Sequence, residues 1–144
     1  AREHLPKEVP VIVFDWTYNF WGWQDDRFSN ATYGNVIWDT HIYHFTSFDS
    51  VKKAQRAYSD DLQKLQTFHE RQSGGAIVGE WALAGSKTVL SAKVNQQLAS
   101  WIVWSFMERS HGAIFWNWDH PHIAEWSLRR AADAFGIDWK GMRK

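Results

Sequence analysis

Four short apolar runs, each closing on polar or aromatic residues, alternate along this chain with helical patterns, and that alternation limits the fold more than any other feature. Val9 to Trp16 (VPVIVFDW) is a continuous apolar run behind Pro10, the pattern of a strand covered on both faces. Asn35 to Phe45 (NVIWDTHIYHF) has the same character, with its polar residues gathered at the far end. From Ser50, apolar residues recur at Val51, Ala54, Tyr58, Leu62, Leu65 and Phe68. This spacing of three and four predicts an amphipathic helix, stopped by Ser73, Gly74 and Gly75. Ala76 to Trp81 reads as the third strand. A second helix is expected from near Ser91, through Val94, Leu98, Trp101, Ile102, Ser105 and Phe106, to a stop at Gly112. The fourth strand is Ala113 to Trp118, and after a loop over Asp119 to His122 a last helix runs from about Ile123 to Phe135, ended by Gly136. Thr17 to Gly34, aromatic with Asn and Gly, predicts a loop with a short helical turn.

Strands alternating with helices imply parallel pairing through right-handed crossovers, so the fold class is α/β. The chain has 144 residues, which suits one domain over 1–144 with no linker, low-complexity tract or charge run. A complete (β/α)8 barrel usually needs ~250 residues, so four strand-helix units make half of one.

Sixteen basic residues balance sixteen acidic ones, leaving no electrostatic footprint for nucleic acid or an anionic membrane surface. No apolar run approaches the ~20 residues of a membrane span, and Ala1 to Pro10 carry charges in place of a signal h-region, so a soluble chain is expected. The absence of cysteine removes thiolate chemistry and leaves the compartment open. Eleven Trp and nine Phe exceed what core packing demands. The C–H faces of sugar rings stack on such aromatics, which makes carbohydrate the first ligand class to consider. A bulky core with an oligomer interface is the other explanation.

In parallel α/β sheets, ligands bind at the carboxyl ends of the strands. Asp15 and Trp16, then Asp39, His41, Tyr43 and His44, then Glu80 and Trp81, then Trp116, Trp118 and Asp119 would therefore converge on one face. Strand periodicity puts His41 with Tyr43 and Trp116 with Trp118, and turns His44 away into a structural role. A carboxylate closing an apolar strand is costly to bury without partners, so Glu80 is either functional or satisfied by local hydrogen bonds. His120 and His122 flank Pro121 in what reads as a turn, so no metal or cofactor is expected. Asn30-Ala31-Thr32 matches a glycosylation sequon by pattern only.

Four of these segments, in order, resemble the carboxyl-terminal half of glycoside hydrolase family 5 barrels, most closely the exo-β-1,3-glucanase-like members. VIVFDWTYNFWGW looks like the family's fifth strand and loop, and DTHIYH resembles its sixth strand with the His-x-Tyr pair. VGEWALA is similar to the seventh strand with the nucleophile, and GAIFWNW to the eighth with its sugar-stacking Trp. The resemblance implies a retaining β-glycosidase for β-glucans or β-glucosides, with Glu80 as nucleophile. His41 and Tyr43 would hydrogen-bond the nucleophile and the sugar, and Trp116 would lie beneath that sugar. Trp81 and Trp118, at the same strand ends, are expected to line the substrate site.

The family's first four strands, and the Asn-Glu-Pro motif that supplies its acid/base, have no counterpart in these residues. A half-sheet also leaves two strand edges open, so a homodimer closing an eight-stranded barrel is the expected partner arrangement. Asp119 of the second subunit is then the candidate acid/base. Without such an acid, the alternative is a non-catalytic carbohydrate-binding half-barrel.

Overall fold

The computed structural model describes residues 4–15, 34–45, 48, 50–71, 74–83 and 91–142. Of the loop expected over Thr17 to Gly34 only Gly34 is among them, and Trp16 also lies outside. Strand β1 is Val11–Asp15 and β2 is Val36–Ile42. Helix α1 (Val51–Arg71) leads to β3 (Ala76–Trp81), and α2 (Ala92–Arg109) leads to β4 (Ala113–Phe115). A short 3-10 turn, Ala124–Trp126, precedes α3 (Leu128–Phe135). The four strands form one sheet in the order β1-β2-β3-β4, every pair parallel. This is the open, half-barrel α/β arrangement that the alternating pattern predicts.

The helices form where their sequence supplies both a stripe and a cap. In α1, Ala54, Tyr58, Leu62, Leu65 and Phe68 are buried at the predicted spacing, and Ser50 Oγ accepts the Lys53 N–H at 3.3 Å. Ser91 caps α2 by accepting the Val94 N–H at 3.3 Å, and Leu98, Ala99, Ile102 and Phe106 turn inward. Ser127 caps α3 in the same way, and Gly136 ends that helix at φ 65°, a left-handed value that favours glycine. Here the structure departs from the expected single helix: Ser127, extended at φ −127°, separates the 3-10 turn from α3. The expected fourth strand is also shorter, ending at Phe115 instead of Trp118.

The two faces of the sheet differ sharply. Val36, Trp38, Ile42, Ala76, Val78 and Trp81 are buried in one core with Tyr58, Leu65, Leu98, Ile102 and Phe106 of the helices. On the opposite face Ile12 is 57% exposed and Ile114 is 60% exposed, although both are large apolar side chains. A closed barrel fills that face with side chains. In the described residues it stands open.

Candidate active site

Strand β2 alternates regularly, sending Val36, Trp38, Thr40 and Ile42 toward the helices and Ile37, Asp39 and His41 toward the open face. Strand β3 begins in step, with Ala76 and Val78 buried. Unbroken alternation would put Glu80 beside them in the core. Instead the register shifts: Thr40 stands opposite Val78, and His41 stands opposite Glu80. Gly79 is the extra residue of this bulge. A one-residue slip reverses every side chain beyond it, so Glu80 turns to the open face and Trp81 turns into the core.

Glu80 meets two donors there. The Tyr43 hydroxyl donates to Oε2 at 2.8 Å, and His41 Nδ1 lies 3.0 Å from the same oxygen. A carboxylate has no proton to give, so His41 carries hydrogen on Nδ1 when it bonds Glu80. Among the described residues Oε1 takes no hydrogen bond. The Phe14 ring lies 4.1 Å from the His41 ring, centroid to centroid, and supports it from β1.

The other imidazole nitrogen, His41 Nε2, faces Asp39 Oδ2 at 3.7 Å. Burial raises the Asp39 carboxyl above the ordinary carboxylate range, opposed by the neighbouring His41 and reinforced by the charge of Glu80. Among the described residues its Oδ1 is buried without a hydrogen-bond partner. Asp39 stands two residues before His41, so strand periodicity alone places it on this face among the polar strand ends, although its type and spacing assign it no role.

Tyr43 also anchors an aromatic shelf. Its ring stacks on Trp126 at 5.3 Å and on Phe45 at 5.8 Å, both with 22° between planes. Trp126 comes from the 3-10 turn, which backbone hydrogen bonds hold to the strand ends: Leu83 N–H donates to Glu125 O at 3.1 Å and Asn117 N–H to Trp126 O at 2.9 Å. Nothing in the sequence near Trp126 announces this position. Trp116 and Trp118 follow β4 and are 47% and 67% exposed, free to meet a ligand.

Two expected site residues prove to have other roles in the chain. Trp81 is only 2% exposed and packs edge-on against Phe106, Phe115 and Trp139, because the bulge turned it inward. It is a core residue and cannot line a substrate site. Asp119 accepts hydrogen bonds from Arg129 Nη2 at 2.7 Å and Arg130 Nε at 3.0 Å. The Arg129 hydrogen bond, with Arg130 beside it, holds its carboxyl below the usual range, whereas a general acid must keep its proton near neutral pH. Asp119 ties the loop to α3. His44, read as structural, bonds Asp61 at 2.9 Å and packs on Tyr58, away from Glu80. Among the described residues no group of three His, Cys, Asp or Glu could hold a metal ion.

No protein-family model and no curated protein sequence matches the chain. Solved structures do. The crystal structure of AoRut aligns with 75% of this chain and 32% of its own length, at 19% identity and a TM-score of 0.55. The rutinosidase from Aspergillus niger aligns with 70% of this chain and 28% of its own, at 18% identity and a TM-score of 0.47. The chain thus spans about a third of the length of the AoRut chain. At such identities the likeness shows shared architecture, an open parallel sheet backed by helices that matches part of a larger α/β fold.

Proposed function

We propose that this chain carries the nucleophile half of a retaining β-glycosidase acting on β-glucosides or β-glucans. The observation that supports it is Glu80, held at Oε2 by Tyr43 and His41, with Oε1 unbonded among the described residues; Trp116 and Trp118 are exposed after β4. Oε1 attacks the anomeric carbon as the bond to the leaving oxygen breaks, and that oxygen keeps the electron pair. Water then displaces Glu80 from the same carbon, losing a proton to solvent, and restores the carboxylate. Trp116 offers the sugar a stacking surface. Nitrophenolate departs without a proton, so aryl β-glucosides test the nucleophile even where no acid is in place. Nitrophenol release is expected from the wild type, and Glu80→Gln should lower it by more than ~100-fold. Equal release by both proteins would remove Glu80 from the mechanism.

A second copy of the chain is the proposed partner that closes the open face. A two-fold axis along the strands would set β4 of each subunit parallel to β1 of the other, covering Ile12 and Ile114 and completing eight strands. Light scattering should give twice the mass of one chain. A stable folded monomer at micromolar concentration would end this proposal.

A second reading is sugar binding without turnover, favoured by the pairing of Asp119 with Arg129 and Arg130, which leaves the chain's candidate acid occupied. Calorimetric binding of a β-glucan oligosaccharide with no nitrophenol release would select it.

A further inference from the structure

We propose that Asp39 and Gly79 form a positioning pair that fixes Glu80 and His41 for the chemistry: Gly79 supplies the bulge that aims Glu80, and the Asp39 carboxyl fills the space over Gly79 and faces His41 Nε2. The inference deepens the reading of Glu80 as a nucleophile, and three separate observations meet in it. The β2–β3 register breaks between Thr40 and His41, directly across from Gly79. A Cβ built on Gly79 would stand 2.0 Å from Asp39 Oδ1 and 2.5 Å from its Cγ, so this carboxyl occupies the volume of the missing side chain. The same carboxyl lies 3.7 Å from His41 Nε2, while His41 Nδ1 lies 3.0 Å from Glu80.

His41 thus faces a carboxyl group at each nitrogen, Glu80 at 3.0 Å and Asp39 at 3.7 Å. Which nitrogen of an imidazole carries hydrogen is set by the partner at the other one. Asp39, half-buried, presents its carboxyl to Nε2 at 3.7 Å, and its burial favours the protonated form. That assigns the Nδ1 hydrogen to Glu80 and orients the ring. If the proton instead moves to Nε2, Asp39 becomes the counter-charge, and the Nδ1 hydrogen still points at Glu80. Both forms contain the same number of protons, so the pair keeps the donor to Glu80 in place either way. Asp39 touches neither the sugar nor the reacting atoms; it acts through His41.

The test follows the His41 ring by nitrogen NMR at neutral pH, with His41→Gln used to assign its signals. In the wild type, Nδ1 should carry hydrogen. Asp39→Ala should lose that pattern and give a mixture of the two tautomers, whereas Asp39→Asn, whose amide can donate to Nε2, should retain it. In parallel, covalent labelling of Glu80 by a dinitrophenyl fluoroglucoside, read by mass spectrometry, should slow by about tenfold to a hundredfold in Asp39→Ala and recover toward wild type in Asp39→Asn. Should Asp39→Ala not fold, Asp39→Leu removes the polar atoms while keeping the space filled. An unchanged His41 pattern in the folded apolar variant, or a labelling rate within about twofold of wild type, overturns the proposal. If the wild type itself is not labelled, Glu80 is not a nucleophile, and the imidazole signals alone decide the role of Asp39.

Discussion

Strands β2 and β3 lie side by side in the same parallel sheet, yet they deliver their functional side chains by different means. In β2 plain alternation is enough: Asp39 and His41 face the open side because Trp38, Thr40 and Ile42 face the helices. In β3 the same rule would bury Glu80, and only the extra residue at Gly79 brings it opposite His41. The regular strand is legible residue by residue. The bulged one is legible only up to Val78. A single inserted residue therefore does two jobs at once, presenting a carboxylate to a ligand and delivering a tryptophan to the core.

The largest expected effect uses that exchange of faces. Beyond the bulge, Trp81 belongs to the packed core, whereas Trp116 lies exposed. Trp81→Ala should cost about 3–5 kcal/mol in chemical denaturation, the usual range for emptying a buried aromatic site. Trp116→Ala should stay within about 0.5 kcal/mol in the single chain. Similar losses for the two would mean that Trp81 does not occupy the core.

A smaller effect is expected at the bulge itself. Gly79→Ala drives a methyl group into the Asp39 carboxyl and should cost about 1–3 kcal/mol as an overpacked site. Removing the obstruction with Asp39→Ala should recover part of the loss, so the double-mutant cycle should show a coupling of about 0.5–3 kcal/mol. Strict additivity would separate Asp39 from the bulge and leave β3 kinked for some other reason.

The smallest effect lies at the opposite end of β3, where the strand is regular. His69 Nδ1 accepts the N–H of Ala76 at 3.1 Å, and burial, together with the charge of nearby His111, lowers the His69 pKa. The unfolded chain therefore binds the proton first as pH falls. The stability contributed by neutral His69 is fully present above about pH 6.5 and is lost as pH falls from there through the folded-state value. Denaturation midpoints should decline over that window, and His69→Gln should flatten the decline. An equally steep decline in the variant would assign it to other groups.

Much of the fold was readable because the signals that make it are local. Ser91 caps a helix, Gly136 ends one, and the stripe from Ala54 to Phe68 is buried as its spacing requires. Each of these depends on residues within a turn or two. His41, Tyr43 and Glu80 were identified by type and by their place at strand ends, and the structure brings them within hydrogen-bond distance. Trp81 and Asp119 take surroundings in the single chain that no local pattern carries. The face that Trp81 takes depends on how β3 pairs with β2, and the partners of Asp119 are Arg129 and Arg130, ten and eleven residues further on.

The sequence by itself determined the alternation of strand and helix, the parallel class that follows from it, and the chemical kinds gathered at the strand ends. Hydrophobic period and capping act over a few residues, and so the chain's own order encodes them. Only the tertiary structure decided which way Glu80 points, that Asp39 lies over Gly79, and that Trp126 stacks on Tyr43. Those outcomes depend on register and contact between segments distant in sequence. A shift of one residue there reverses a side chain without changing any local preference.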